Sequence, residues 1–115
     1  MSLAVVTGAG RGIGRATARR LAADGWNVVV VDVDGATAKA TAAELPGAQA
    51  RECDVSDAEA VRQLAADVGP VAALVNNAGI WRYASLEDTT PQDALAVLQV
   101  NVLGTYWCCQ AFAPG

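Results

Sequence analysis

The sequence predicts an α/β fold, a doubly wound parallel sheet cut short after about four strands. Two observations carry this expectation. Short apolar runs alternate with helix-period stretches along the whole chain, and one of the runs, Val28-Val29-Val30-Val31, shows no alternation of apolar and polar residues. An uninterrupted run of that kind suits a strand covered on both faces, as parallel strands are. The first apolar run also passes straight into a helical pattern through Thr7-Gly8-Ala9-Gly10-Arg11-Gly12-Ile13-Gly14. A strand that turns through glycines into a helix brings backbone N–H groups and the positive end of the helix dipole close to a phosphate.

Strand one spans Leu3 to Thr7, and the helix that follows runs from about Gly12 to Asp24. Ile13, Thr17 and Leu21 form its inward stripe at helical spacing, with Arg15, Arg19 and Arg20 outside. Asp24-Gly25 ends it, because glycine takes the left-handed conformation that closes a helix. Trp26-Asn27 opens strand two, Val28 to Asp32, and Asp34-Gly35 turns into a second helix from Ala36 to Glu44, which Pro46-Gly47 stops. Strand three, Ala48 to Asp54, is polar enough for a sheet edge. Ser56-Asp57-Ala58-Glu59 fits a capping box for a third helix reaching Val68, with Val61, Leu64 and Val68 as its apolar stripe. Gly69-Pro70 precedes strand four, Val71 to Val75. Beyond Asn76-Asn77-Ala78-Gly79 and a loop from Ile80 to Thr89, Thr90 caps a last helix with Pro91 at its first position and Leu95, Leu98 and Val102 on its buried face. No repeat or linker divides the chain, so it reads as one domain or part of one.

Composition narrows the function. The chain has 115 residues, is 53% hydrophobic and 17% charged, and carries a net charge of −4, which disfavours a nucleic-acid surface. Histidine is absent, which removes His-based metal sites and His-dependent triads, and no metal site is expected. No apolar stretch approaches the ~20 residues that span a bilayer. Met1-Ser2-Leu3 enters strand one without the basic and apolar regions of a signal peptide. Cys53, Cys108 and Cys109 are odd in number and two are adjacent, so free thiols, buried or half-buried, in a reducing cytoplasm are expected.

Several residues stand where a dinucleotide would need them. Asp32 ends strand two, 18 residues beyond Gly14, at the distance from which a carboxylate accepts hydrogen bonds from a ribose. The plainer reading is a cap on the second helix, a task Asp34 performs equally well. Gly8, Gly12 and Gly14 provide turn, close approach and packing. Asp54, at the end of strand three, can take an adenine amino group, and Val55 offers apolar contact. Asn76 and Asn77 leave strand four at the crevice where strand order reverses; their amides tie that strand to its neighbours or meet a ribose. Asn101 interrupts a helix, and a mid-helix asparagine tends to open the turn. Arg11 could pair with the 2′-phosphate of NADP, but the Asp32 carboxylate repels that phosphate, so NAD is favoured over NADP.

Together these segments resemble the short-chain dehydrogenase/reductase family, whose fold is Rossmann-like. Thr7 to Gly14 looks like its dinucleotide motif, with three residues between the first two motif glycines, and Asn76-Asn77-Ala78-Gly79 like its strand-four motif. Asp54-Val55 matches its adenine-contacting pair, and Asn101 in Gln99-Val100-Asn101-Val102 the asparagine of its catalytic tetrad. The resemblance implies that Gly8, Arg11, Gly12, Ile13, Gly14, Asp32, Val33, Asp54, Val55, Asn77, Ala78 and Gly79 surround a nicotinamide dinucleotide. It implies that Asn101 holds a water in a proton relay, that the substrate is a small alcohol or carbonyl compound, and that the full-length protein is a homo-oligomer. Trp81, Arg82 and Tyr83 are candidates for one wall of the substrate pocket.

The same resemblance implies a catalytic tyrosine with a lysine four residues later and a serine. A tyrosine active near neutral pH must ionise far below its usual value of about 10, which a neighbouring cation allows. Here Tyr83 is followed four residues on by Glu87 and Tyr106 by Gln110, while Lys39, the only lysine, lies in the second helix. Strand four would be left as a long apolar edge, and the last helix without a partner for Trp107, Cys108 and Phe112. The expectation is therefore the N-terminal, cofactor-binding half of a longer dehydrogenase, with a catalytically silent NAD-binding module or a non-functional fragment as alternatives.

Overall fold

The computed structural model describes residues 2–80 and 84–113. The four strands β1 (Leu3–Thr7), β2 (Asn27–Asp32), β3 (Gln49–Glu52) and β4 (Ala73–Val75) form one parallel sheet in the order β3-β2-β1-β4. Between them lie α1 (Gly12–Ala23), α2 (Gly35–Ala43) and α3 (Ala58–Val68), and after β4 come α4 (Pro91–Leu98), a π-helical turn over Gln99–Gly104, and α5 (Thr105–Phe112).

Alternation along the strands divides the core in two. Val6, Val28 and Val30 point to the face covered by α1 and α2, where they meet Ala18, Ala38 and Ala42. Val5, Val29 and Val31 point to the opposite face, where Val61 and Leu64 of α3 meet Cys108 and Phe112 of α5. Both central strands are buried on both faces, which explains the valine run.

The structure corrects several expectations. The fully buried side of α1 is Gly14 and Ala18; of the expected stripe Leu21 packs against the core, Thr17 is half-buried, and Ile13 is 79% exposed. Small residues let α1 lie close against the sheet, and Ile13 at its amino end falls outside the contact. The cap of α3 is Asp57, whose carboxylate accepts from the Glu59 and Ala60 amides, while the Ser56 hydroxyl turns to Asp54. Strand β4 is a short edge of three residues rather than a long one.

The last helix is rotated from the expected face. Leu95, Leu98 and Val102 are exposed by 54%, 53% and 55%, whereas Cys108 and Phe112 are buried and Trp107 packs against the same core. The expectation that this segment lacks a partner for those residues is thus corrected. Apolar residues lie on both sides of the helix, so periodicity alone cannot choose between them, and the π turn inserts a residue that swings the register. Because that turn joins α4 to α5 without a break, Pro91–Phe112 is one helix of 22 residues with a hydropathy of 1.2, long and apolar enough by length and composition to cross a membrane. This corrects the reading that no segment approaches that length. Gln99 and Asn101 interrupt the apolar run, and Asn101 ties the helix back to the segment after β4.

Candidate functional site

Strand order reverses between β1 and β4, so the carboxyl ends of these two strands open a crevice. One hydroxyl joins its walls. Thr7 Oγ1, at the end of β1, accepts hydrogen bonds from the amides of Asn77 at 3.1 Å and Ala78 at 3.0 Å. The Asn77 side chain in turn donates to the Gly8 carbonyl at 3.1 Å. Asn77, rather than Asn76, ties β4 to the glycine turn; the Asn76 amide points to Cys109 Sγ at 3.4 Å.

The glycine turn needs its glycines for two different reasons. Gly8 and Gly12 have φ of +63° and +60°, where a side chain would be strained. Gly14 lies in the first turn of α1 against the Gly8 carbonyl, and a Cβ there would stand 2.2 Å from that oxygen and 2.4 Å from Asn77 Nδ2. The N-cap of α1 is Arg11, which supplies no side-chain hydrogen bond, and the first turn contains no acidic residue. The helix therefore presents its amino end to the crevice without a carboxylate of its own.

Asp32 is held by the backbone around it. Its Oδ2 accepts from the Gly10 amide at 2.9 Å and its Oδ1 from the Asp34 amide at 3.0 Å, and the residue is 8% exposed. It does not cap α2: Asp34 does, accepting from the Ala36 and Thr37 amides. The buried Thr41 hydroxyl, on α2, donates to the Gly10 carbonyl at 3.1 Å, so the Gly10 residue is gripped at both N–H and C=O. At the next strand end, Asp54 Oδ1 accepts from the Ser56 amide and hydroxyl, and Val55 packs beneath Gly104 of the π turn.

These groups surround a cleft of about 1020 Å³. Of the residues named from the sequence, Gly8, Arg11, Gly12, Ile13, Asp32, Val33, Asp54, Val55, Asn77, Ala78 and Gly79 line it, and Gly14 lies just behind. Asn101 is outside the lining. Its Oδ1 accepts from the Ile80 amide at 2.8 Å and its Nδ2 donates to the Ile80 carbonyl at 2.7 Å, so it clamps a residue that lines the cleft. Trp81, Arg82 and Tyr83 lie outside the described residues. Cys53, Ser56, Ile80, Ala96, Gln99 and Val100 line the cleft as well and were not singled out from the sequence. Cys53 was legible as the residue before Asp54; Ala96 of α4 and Gln99 and Val100 of the π turn were not, because only the tertiary path of the helix brings them here.

The two buried thiols are chemically quiet. Burial pushes Cys53 up to about 11, helped by the nearby Asp54 and Asp57 charges. Burial pushes Cys108 up to about 12, with Cys53 and Cys109 adding to the effect. All three cysteines are free, and Cys109 is exposed, which departs from the expected burial.

The family model for short chain dehydrogenases matches residues 2–115. The chain belongs to that family. It is 39% identical to the D-threitol dehydrogenase of Mycolicibacterium smegmatis, over 95% of this chain and 45% of the relative. It is 42% identical to the L-fucose dehydrogenase of Oryctolagus cuniculus, over 96% of this chain and 40% of the relative. Among solved structures, a short-chain dehydrogenase/reductase from Burkholderia phymatum in complex with NAD superposes with a TM-score of 0.93 at 35% identity, covering 98% of this chain and 43% of that one. A metagenomic short-chain oxidoreductase in complex with NADP superposes with a TM-score of 0.90 at 38% identity, covering 98% and 55%. The chain thus spans about half the length of the short-chain dehydrogenase structures it matches, with the Rossmann-like α/β architecture of an NAD(P)-binding oxidoreductase family.

Proposed function

We propose that this chain binds NAD(H) in preference to NADP(H) and supplies the cofactor half of an oxidoreductase acting on an alcohol or carbonyl compound. The observation that carries the reading is the Asp32 carboxylate, fixed at the cleft by the Gly10 and Asp34 amides. A carboxylate offers about four lone-pair sites, and two amides leave room for hydroxyl donors. It accepts from a ribose diol and repels a 2′-phosphate.

The residues fit a dinucleotide along the rest of the cleft. The open space at Gly12 and the uncapped amino end of α1 suit a pyrophosphate, and Asp54 with Val55 suits an adenine edge and face. When bound, the nicotinamide ring accepts or releases a hydride. The chain's own contribution is to orient it: Asn77 holds the turn, and Asn101 fixes Ile80 at the far wall, with the opened π turn as the place for a relayed water.

Hydride transfer also needs a proton at the substrate oxygen. Tyr106 is 60% exposed and is followed one turn later by Gln110, and Lys39 lies on α2 away from the cleft lining. Among the described residues no tyrosine with a lysine one turn later stands at the cleft, so the reading gives these residues the cofactor-binding role and keeps the silent module as the alternative. Titration with NADH and NADPH tests it: NADH is expected to bind more tightly, and equal or tighter NADPH binding overturns the preference. Carbonyl reduction by the purified chain would overturn the assignment of a binding half.

A further inference from the structure

Among the described residues that line the cleft, Arg11 is the one basic residue, against the acids Asp32 and Asp54. Its guanidinium stands 3.5 Å from Asp34 Oδ2. Asp34 does not line the cleft, but it is fixed firmly. Its amide donates to Asp32, its Oδ1 accepts from the Ala36 and Thr37 amides, and its carbonyl accepts from the Thr37 hydroxyl. Capping occupies Oδ1 of the carboxylate and leaves Oδ2 facing Arg11.

We infer that Asp34 is a selectivity residue of this site, which by pairing with Arg11 occupies the cation that would otherwise meet a ribose 2′-phosphate. The inference rests on the cofactor reading above and adds a second determinant to Asp32. Asp32 acts by direct repulsion, whereas Asp34 acts through Arg11. Both partners are well exposed, so the effect is modest, about three- to fivefold.

Calorimetric titration of the 115-residue chain with NADH and NADPH tests it in Asp34→Asn and Asp34→Ser, both of which keep a residue that caps α2. Each is expected to tighten NADPH relative to NADH by about three- to fivefold, with no such shift when the same change is made on an Arg11→Gln background. An unchanged ratio in both variants, or an equal shift without Arg11, overturns the inference and leaves the NAD(H) preference of the parent standing. A parent chain that binds neither dinucleotide, or binds NADPH as tightly as NADH, overturns the cofactor reading itself.

Discussion

The Gly10 amide donates to Asp32 Oδ2 at 2.9 Å, so the carboxylate proposed to read the ribose also holds the loop proposed to hold the phosphates. Binding and local stability are therefore linked at Asp32. Asp32→Ala leaves the Gly10 and Asp34 amides without their acceptor, a loss of about 1–3 kcal/mol when such groups are buried. Denaturant unfolding is expected to show that loss in the absence of any dinucleotide, and affinity for NADH to fall further.

Gly10→Ala tests the same contact from the other side. A Cβ at this position would lie 2.3 Å from Thr37 Oγ1 and 2.8 Å from Asp32 Oδ2. Overpacking of this kind costs about 1–3 kcal/mol. A midpoint of unfolding that does not move would show that Thr37 turns aside freely.

Asn101→Leu removes both hydrogen bonds to Ile80 while keeping a side chain of similar size. A loss of about 1 kcal/mol is expected, because the site is exposed and water replaces part of what is lost. Hydrogen exchange at the Ile80 amide should quicken more than at Asn77 or Ala78, whose acceptor is Thr7.

At Gly104 a Cβ would stand 2.7 Å from Val55 Cγ2. Gly104→Ala should press the π turn away from the cleft wall and destabilise the chain, and Val55→Ala should relieve part of that cost. A double-mutant cycle reads the coupling, expected at about 0.5–3 kcal/mol for residues in contact.

The buried thiols make stability depend on alkaline pH. Cys53 and Cys108 hold their protons up to about 11 and about 12, above their ordinary value, so between that value and these the folded chain binds more protons than the unfolded one. Their contribution is complete below the ordinary thiol range and is lost as pH rises through the folded values. The melting temperature is expected to fall from about pH 9 upward, and less steeply in Cys53→Ala. At pH 7 a thiol reagent should label Cys109 first, since it alone of the three is exposed.

Much of this was legible in sequence because it is local. Glycine content, a strand-end acid and an unbroken valine run each report one strand or one turn, and the cleft gathers the residues they mark. What was not legible depends on long-range choices. Ile13 matches a helical stripe, yet the faces of α1 are decided by how closely small residues let it approach the sheet. Leu95 and Cys108 are both apolar, and only the π turn and the contact with α3 decide which is covered. Asn76 and Asn77 look equivalent until the Gly8 carbonyl picks one.

The Thr7 hydroxyl acts as a spacer. Both walls of the cleft meet at one oxygen, the glycine turn through the strand that ends there and the β4 exit through two amides, and the Asn77 amide to the Gly8 carbonyl and the β1–β4 ladder hold the same gap beside it. Serine would preserve that gauge and valine, of nearly the same shape, would not.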